Sequence, residues 1–455
     1  MKRTRTLGRL VALAALPLAL LAGPTAAQAA GSAGSPANSP AAAARSPEAT
    51  GAGAERAGPG REMRWVGSWT AMPQLTEPHN MPPPPFTGEE SVLVDTTLRQ
   101  TVRITTGGER FRLAFSNEFG GAPLPLTSVA VALPRDGQAG VSAVEPGSSV
   151  PVTFSGGRSS VTVPIGARYV SDPVDLALPP GSNLTVTTYL ATGQATLSLT
   201  SHPGSRTTSH LLAGEHVTAD DLPGATPTDH WYLLSGVEAW SPADHHGTAV
   251  LGDSLTDGRG STTNGNDRWT DQLFDRMAAD PDTAHVSLLN QGAGGNRVLN
   301  EGLGPSALAR LDRDVIAQSG VERLILFEGV NDIGTAEATE EAQRAVADEL
   351  ITAYDQIVTR AHAHGIEVFG ATLLPFGDNE MYDDPEGWRE LARQSVNDWI
   401  RDSGRFDAVL DFDAVTRDPA QPERLLPDIH DGDWLHLTPE GYGLLAASVP
   451  LELLR

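Results

Sequence analysis

Residues 248–258 read TAVLGDSLTDG, an apolar run that stops at a glycine and is followed by a short polar segment. The run has the composition of a buried strand of a parallel sheet, and Gly252 and Gly258 allow the backbone to turn sharply on either side of Ser254. Sites in such sheets form at the carboxyl ends of the strands. The segment therefore predicts a functional position for Ser254, although a serine that follows a strand is also a common helix N-cap.

The sequence after this segment alternates strand-like apolar runs with stretches of helical period. The strand-like runs are VSLLN (286–290), RLILFEG (323–329), IEVFGATLLP (366–375) and AVLDF (408–412). Helical periodicity is found near 269–277, 306–318, 339–363 and 388–400, and a last helix is predicted to begin at Thr438-Pro439. This alternation predicts an α/β domain, residues 244–455, with a parallel sheet covered by helices on both faces.

The part of the chain from Met63 to about Ala243 has a period close to two. Its short apolar runs, separated by Gly, Pro, Asp or Ser, include 128–133, 160–165, 174–178, 183–190 and 195–201. TVRIT (101–105) and ERFRLAFSN (109–117) are separated by Gly107 and Gly108 and are predicted to form a hairpin. The pattern predicts an all-β accessory domain, residues 63–243, built as a jelly-roll-like sandwich.

The first 62 residues have the sequence pattern of an export signal and a linker rather than that of a packed core. Four basic residues precede an apolar run from Leu10 to Ala22 that is too short to span a bilayer, and a small-x-small pattern follows near Ala29. Residues 1–30 are therefore predicted to be a cleaved signal peptide, with an uncleaved anchor as the alternative. Residues 31–62, mostly Gly, Ala, Ser and Pro, are predicted to be a disordered linker. We expect a secreted, extracellular bacterial protein without a stable membrane anchor.

The composition excludes some kinds of catalysis and disfavours some kinds of partner. The formal charge of −25 becomes about −29 once the four basic residues of the predicted signal are removed, which disfavours nucleic acid as a partner. The chain contains no cysteine, so disulfides and thiol catalysis are excluded. Residues 244–247 (DHHG) have metal-ligand types but lack further ligands at a usable spacing, so we interpret them as a polar linker and expect no metal and no cofactor. The oligomeric state stays open.

A serine hydroxyl becomes a nucleophile only when a general base removes its proton and an acid holds that base. DGDWLHLTPEGY (431–442) offers such a pair, because Asp433 and His436 lie three residues apart on a loop before the last predicted helix. His430 is a rival base. Asp-x-x-His alone is a weak pattern, and its position after the last predicted strand strengthens it.

Donors for a developing oxyanion are predicted after the second and third strands of the α/β domain. NQGAGGNRV (290–298) offers the backbone N–H of Gly295, and FEGVNDIG (327–334) offers the side-chain amide of Asn331. Taken separately, each segment is explained more simply by a tight glycine loop or by an Asx turn.

Together, the blocks GDSLTDG, GAGGN, GVND and DWLH resemble those of the SGNH hydrolases, also called the GDSL esterase/lipase family. The resemblance covers roughly residues 248–455 and implies a flavodoxin-like three-layer α/β/α catalytic domain. It implies a catalytic Ser254 activated by Asp433 and His436, and an oxyanion hole formed by the backbone amides of Ser254 and Gly295 and the side chain of Asn331. The β-domain, beginning with WVGSWTA, is similar, less specifically, to the one that precedes this catalytic domain in secreted actinobacterial members.

The leading hypothesis is a secreted serine esterase that hydrolyses a small-molecule or polysaccharide-linked ester through an acyl-enzyme. Polar or glycine-rich segments follow the strands, and only LLPFGDNEMYDDPEGW (373–388) offers an apolar wall, so short acyl chains are predicted. One alternative is a carbohydrate O-acetylesterase whose β-domain binds glycans through Trp65, Trp69 or Trp231, for which core packing is the favoured interpretation. Others are a lipase or phospholipase for longer chains and an inactive adhesin, the latter disfavoured because every required group is present.

Overall fold

The computed structural model describes residues 62–455. The predicted signal peptide, and the predicted linker apart from Glu62, lie outside the described residues. Between residues 62 and 455 no helix is long and apolar enough to cross a membrane.

An antiparallel β-rich part comes first. Its strands, β1 to β16, are Met63–Thr70, Gln74–Leu75, Thr96–Arg103, Gly108–Ser116, Leu124–Leu126, Ser128–Ala132, Val150–Val152, Val161–Val163, Arg168–Val170, Val174–Leu178, Asn183–Leu190, Thr200–His202, Ser209–Ala213, Thr226–Thr228, Trp231–Tyr232 and Leu234–Pro242. One sheet has the order β1-β16-β4-β10, with β9 also paired to β4, and a larger sheet has the order β14-β13-β3-β11-β6-β7. Two smaller sheets are β15-β12-β2 and β5-β8, and short 3₁₀ turns cover Pro78–Asn80 and Arg135–Gly137.

The two larger sheets share one apolar core. Leu113 of the first sheet and Leu98 and Val186 of the second belong to the same buried cluster. Trp69 and Trp231 lie in this cluster as well, with their rings edge to face at 4.9 Å between centroids. Two of the three tryptophans considered for sugar stacking are therefore core residues.

The predicted hairpin between TVRIT and ERFRLAFSN is wrong. β3 pairs with β11 and β13 in one sheet, whereas β4 pairs with β16, β10 and β9 in the other. The connection crosses between the sheets, where Thr105 N–H donates to Ser68 O at 2.8 Å and where a Cβ on Gly107 would lie 2.6 Å from Leu178 O. A glycine is thus needed at position 107 because the chain passes close to Leu178 as it crosses between the sheets, and not because it forms a tight turn. Alternation of apolar residues tells which face of a strand is buried, but it does not identify the neighbouring strand.

The α/β part follows. Strands β17 to β23 are His246–Gly252, Val286–Gly292, Val321–Phe327, Glu367–Ala371, Ala408–Leu410, Arg417–Asp418 and Gln421–Leu425. Helices α1 to α8 are Ser254–Asp257, Trp269–Ala279, Ala307–Leu311, Val330–Thr335, Glu340–Ala363, Trp388–Asp402, Phe412–Thr416 and Pro439–Ser448. A π-helical turn, Asp312–Ile316, extends α3, and a 3₁₀ turn, Leu451–Leu454, follows α8.

Strands β17 to β21 form a parallel sheet with the order β18-β17-β19-β20-β21. Ala249 and Leu251 of β17 pack with α3, α5 and α6, whereas Val250 packs with α2 and α8, so helices cover both faces. The connections diverge from β17 and β19, and ligands bind at the carboxyl ends of strands at such a point. Ser254 follows β17 and Asn331 follows β19, so both lie at this point.

The β-rich part packs against the edge strand β18. A Cβ on Gly67 of β1 would lie 2.7 Å from the side chain of Leu289, so the backbone of β1 lies directly against that side chain. Thr70 Oγ1 donates to Asn290 O at 3.2 Å. β1 therefore runs along β18 toward its carboxyl end, and the segments that follow β1 come near the site.

Candidate active site

Ser254 is the first residue of α1, directly beyond the end of β17. The N-cap of this helix is Asp253, whose carboxylate accepts the Leu255 N–H at 3.0 Å, so Ser254 does not serve as the cap. Gly258 has a φ of 93° and ends the helix. Gly252 is needed for space rather than for an unusual backbone angle, since a Cβ there would lie 2.3 Å from the Thr256 hydroxyl.

The structure brings Ser254, His436 and Asp433 together in one chain of hydrogen bonds. Ser254 Oγ lies 2.8 Å from His436 Nε2, and His436 Nδ1 lies 2.6 Å from Asp433 Oδ2. The other carboxylate oxygen of Asp433 accepts the backbone N–H groups of Leu435 (2.9 Å) and His436 (2.8 Å). The loop fixes the carboxylate on one ring nitrogen and leaves the other nitrogen for the serine hydroxyl.

The Asp433 carboxylate stays ionised. Its partial burial alone raises the pKa, but the hydrogen bonds from the His436 ring and from the backbone N–H groups of His436 and Leu435 bring the pKa well below its ordinary value. An ionised Asp433 accepts the proton on His436 Nδ1, so the lone pair on Nε2 faces Ser254.

His430, the rival base, has a different role. Its Nδ1 accepts the backbone N–H groups of Gly432 (3.1 Å) and Trp434 (3.3 Å), and its ring stacks on Trp434 at 4.1 Å between centroids. Trp434 has a φ of 59°, a strained value for a side chain of this size. His430 thus supports the bend that presents Asp433 and His436, and does not contact Ser254.

Gly295 and Asn331 line the same cavity as Ser254. Gly295 has a φ of 71°, and a Cβ there would lie 2.4 Å from Leu303. Within residues 62–455 the backbone N–H groups of Ser254 and Gly295 donate to no protein acceptor, so both are available to an oxyanion. The side-chain amide of Asn331 reaches away from its own turn, since its Nδ2 donates to Asn296 O, 35 residues away, at 2.8 Å.

Tyr382 and Asn379 belong to the site, and neither was predicted from the sequence to be a polar member of it. Tyr382 Oη donates to Asn331 Oδ1 at 2.7 Å, and Asn379 Nδ2 donates to Asp433 O at 2.7 Å. Asn379 Oδ1 accepts the N–H of Tyr382 at 2.9 Å and so joins the two contacts. The sequence signal was their position on the segment after β20, at the same sheet edge as Ser254. Of the predicted apolar wall, Phe376 is buried in the core and Met381 is exposed at the cavity.

A buried charge cluster lies behind Ser254 and was also not predicted. Arg310 of α3 donates to Gly252 O (3.0 Å) and Gln291 O (2.7 Å), at the ends of β17 and β18, and contacts Glu328 after β19 at 3.2 Å. This one guanidinium therefore ties together the strand ends that carry the site loops.

Burial dominates the titration of the acids in this cluster. It raises the pKa of Asp253 to about 7 and the pKa of Glu328, despite its contact with Arg310, to about 8. It also raises the pKa of Asp332 to about 6, although that carboxylate accepts two backbone N–H groups. These three acids lie together beneath the Ser254 turn, and burial raises the pKa of each.

The cavity at Ser254 has a volume of about 540 Å³ and is lined by both parts of the chain. The β-rich part contributes Gln74, Glu77, His79, Asn80, His202, Pro203, Gly204, Arg206 and His230. His202 of β12 contacts Asp257 of α1 at 2.9 Å, and the other oxygen of Asp257 accepts the Gly294 N–H at 3.1 Å. The β-rich part thus holds both α1 and the GAGGN loop.

No group of three or more His, Asp or Glu side chains in the described part of the chain could hold a metal ion. In the DHHG segment, His246 Nδ1 contacts Asp244 O at 3.3 Å and His246 Nε2 contacts Arg323 at 2.6 Å. These are contacts within the protein, and they leave the ring of His246 engaged on both nitrogens.

A serine hydroxyl, an imidazole and a carboxylate in a chain, at the point where the connections of a parallel α/β sheet diverge, form the arrangement of a serine hydrolase. Residues 250–444 match the family model of the GDSL-like lipase/acylhydrolases, and this part of the chain belongs to that family. The protein is accordingly a carboxylic ester hydrolase, and the resemblance found in the sequence blocks is confirmed.

Solved structures similar to this chain cover just under half of it. They include a lipolytic protein of the G-D-S-L family from Desulfitobacterium hafniense (19% identity, 45% of this chain and 97% of that chain, TM-score 0.33). A lipase/acylhydrolase from Enterococcus faecalis matches with 18% identity, 45% and 92% coverage and a TM-score of 0.34. A catalytic mutant of an acetylxylan esterase from Geobacillus stearothermophilus matches with 17% identity, 45% and 91% coverage and a TM-score of 0.33. Among curated proteins, none matches the chain.

Proposed function

We propose that the protein is a secreted serine esterase that cleaves short-chain carboxylic esters through an acyl-enzyme. The observation that carries the proposal is the continuous contact from Ser254 Oγ through His436 to Asp433, at 2.8 and 2.6 Å, inside a cavity that also contains two unengaged backbone N–H groups. These are the nucleophile, the base, the acid that orients it and the oxyanion donors that acyl transfer requires.

In the proposed reaction, Ser254 Oγ attacks the ester carbonyl carbon while His436 Nε2 takes the hydroxyl proton. The carbonyl oxygen becomes an oxyanion that accepts hydrogen bonds from the backbone N–H groups of Ser254 and Gly295 and from Asn331 Nδ2. When this tetrahedral intermediate collapses, the alcohol leaves and receives the proton from His436. The acyl group stays on Ser254. Water, deprotonated by His436, then attacks the acyl-enzyme, and the acid leaves as Ser254 recovers its proton.

The proposal includes the finer organisation of the chain. The order β18-β17-β19-β20-β21 is that of a flavodoxin-like sheet, which supports a three-layer α/β/α catalytic domain over residues 244–455. The common core of the two larger antiparallel sheets supports a jelly-roll-like sandwich over residues 63–243. Secretion follows from the pattern of residues 1–30 alone.

The cavity lining supports short acyl chains. Its long aliphatic side chains are Leu303, Met381 and Leu435, and the remaining wall is largely polar. Each further methylene of a long acyl chain gains about 0.8 kcal/mol only where dry apolar surface receives it. The glycan-binding alternative loses two of its three tryptophans, because Trp69 and Trp231 are 7% and 5% exposed.

The test is hydrolysis of p-nitrophenyl esters from acetyl to decanoyl, together with labelling by a fluorophosphonate. We expect kcat/KM to be highest between acetyl and butyryl, a label on Ser254, and loss of turnover in Ser254→Ala and His436→Ala. His430→Ala is the comparison for the base and should lower turnover far less than His436→Ala, because His430 supports the loop but does not contact Ser254. Turnover that persists in Ser254→Ala contradicts the proposal, and a maximum at long chains replaces the esterase with a lipase.

A further inference from the structure

Two arginines on the wall of the Ser254 cavity have no side-chain partner among residues 62–455. Arg206 lies on the loop between β12 and β13, and Arg259 follows α1. Within residues 62–455 neither guanidinium forms an ion pair or hydrogen bond with the protein, and the Nε of Arg206 is buried without an acceptor. Other arginines near the site, such as Arg268 and Arg310, are fully engaged. A guanidinium without an acceptor at a cavity wall is suited to a carboxylate or phosphate supplied by a ligand.

The acidic side chains of the same cavity are already engaged. The three carboxylates on its wall accept hydrogen bonds from protein groups: Glu77 from Gln74 and Asn80, Asp257 from His202 and Gly294, and Asp433 from His436 and Leu435. The carboxylates of the wall therefore have protein donors, whereas within residues 62–455 the two guanidinium groups have no protein acceptor.

The backbones of both arginines are anchored by hydrogen bonds to neighbouring segments. Arg206 has a φ of 49°, and its carbonyl accepts the Asn264 N–H at 2.9 Å. Arg259 N–H donates to Ser254 O at 3.0 Å, and its carbonyl accepts the hydroxyl of Tyr442 at 2.6 Å. The two arginines thus line the cavity from two sides, Arg206 from the β-rich part and Arg259 from the turn that follows the serine.

We propose that the alcohol part of the ester bears an anionic group, a carboxylate or a phosphate, that Arg206 and Arg259 bind beside Ser254. The proposal rests on the esterase function above and specifies its substrate class. The acyl group then lies toward the aliphatic side chains, and the anionic alcohol lies toward the β-rich part. On this view the β-rich part selects the substrate, because it supplies one of the two cations.

The experiment compares acetyl esters that differ in charge and little else. Acetylated methyl glucuronoside is paired with acetylated methyl glucoside, and 1-acetylglycerol 3-phosphate with monoacetylglycerol. The measured quantity is the ratio of kcat/KM for the anionic ester to that for its neutral partner, in wild type, Arg206→Gln, Arg259→Gln and the double variant. We expect the ratio to fall about tenfold in each single variant, the size of one charge-assisted hydrogen bond, and further in the double variant.

Two control variants distinguish the loss of a positive charge at the cavity from a structural effect of the substitution. Arg344→Gln, on the exposed surface of α5, should retain the wild-type ratio, and Arg206→Lys should recover part of it. A preference confined to the glucuronoside identifies a carboxylate ligand, and one confined to the glycerol phosphate identifies a phosphate ligand. Equal ratios in wild type and the double variant overturn the proposal. In that case hydrolysis of p-nitrophenyl acetate and labelling of Ser254 still report separately on the esterase function.

Discussion

Tyr382 determines which way the side-chain amide of Asn331 points. The tyrosine hydroxyl donates to Asn331 Oδ1 at 2.7 Å, and Asn331 Nδ2 donates one proton to Asn296 O at 2.8 Å. With its oxygen and one N–H engaged, the amide is held against a flip, and its second N–H remains available to the cavity. Tyr382 is therefore a positioning residue that acts through Asn331.

We expect Tyr382→Phe to lower kcat about tenfold while KM changes little, because an oxyanion donor acts on the transition state rather than on the bound ester. Kinetics on p-nitrophenyl acetate measure this split. Tyr189→Phe is the matched control, since that hydroxyl binds Asp95 far from the cavity, and its kinetics should equal those of wild type. A rise in KM with unchanged kcat would show that Tyr382 only shapes the binding surface.

At the scale of residues, the sequence predicted the groups that follow strands and missed those that reach them from elsewhere. Ser254, Gly295 and Asn331 come directly after β17, β18 and β19, so their positions at one sheet edge follow from the strand pattern. Arg310 acts through hydrogen bonds to backbone carbonyls of distant segments. No local pattern marks such a residue, because its partners are set by the packing of α3 under the sheet.

At the scale of elements, the ends of β17, β18 and β19 converge on the buried cluster around Arg310. Glu328 follows β19, has one carboxylate oxygen without a hydrogen-bond partner, and has its pKa raised by burial to about 8. The unfolded chain has an ordinary glutamate there, with a pKa of about 4.3. Between about pH 4.3 and pH 8 the native state binds the extra proton, so the free energy of unfolding falls as pH rises through this range.

We expect Glu328→Gln to remove this part of the pH dependence. From pH 5 to pH 8 the wild type should lose stability by up to about 1.4 kcal/mol per pH unit from this group, and the variant should lose less. Urea unfolding at pH 5, 6.5 and 8 measures the difference, with Glu340→Gln at the exposed start of α5 as the control. If the difference in free energy of unfolding between variant and wild type stays constant with pH, Glu328 is ionised in the native state.

Local signals predicted the helices better than the strand pairing. The long helix α5 begins after Thr339, whose hydroxyl accepts the Ala342 N–H, and a glycine with a φ of 73° follows its end at residue 365. Both signals are local in the sequence. The partners of β3 and β4 depend on which sheet the chain enters after Gly107, and the ribbon β22–β23 is too short to carry a pattern. Pairing is decided by long-range packing, which a single sequence does not encode locally.

At the scale of the molecule, the β-rich part completes the site rather than standing beside it. It contributes nine of the 22 residues that line the cavity, and its His202 contacts Asp257 within the block that contains Ser254. Further polar contacts hold the two parts together, with Arg268 Nη2 donating to Ser205 O, Arg313 contacting Glu118 at 3.4 Å and Ser319 Oγ donating to Glu238 at 2.6 Å. The sequence predicted two parts but not this dependence, because none of these pairs lies close along the chain.

A chain shortened to residues 241–455 should therefore be inactive and prone to aggregation. Without β1, strand β18 becomes an exposed sheet edge, Leu289 loses the strand that covers it, and Asp257 of α1 loses its contact with His202. Hydrolysis of p-nitrophenyl acetate and size-exclusion chromatography measure the two effects. The control is a chain of residues 62–455, which retains every group placed in the cavity and should match the full chain in kcat/KM. A soluble, active 241–455 chain would show that the catalytic turn holds its geometry without the β-rich part.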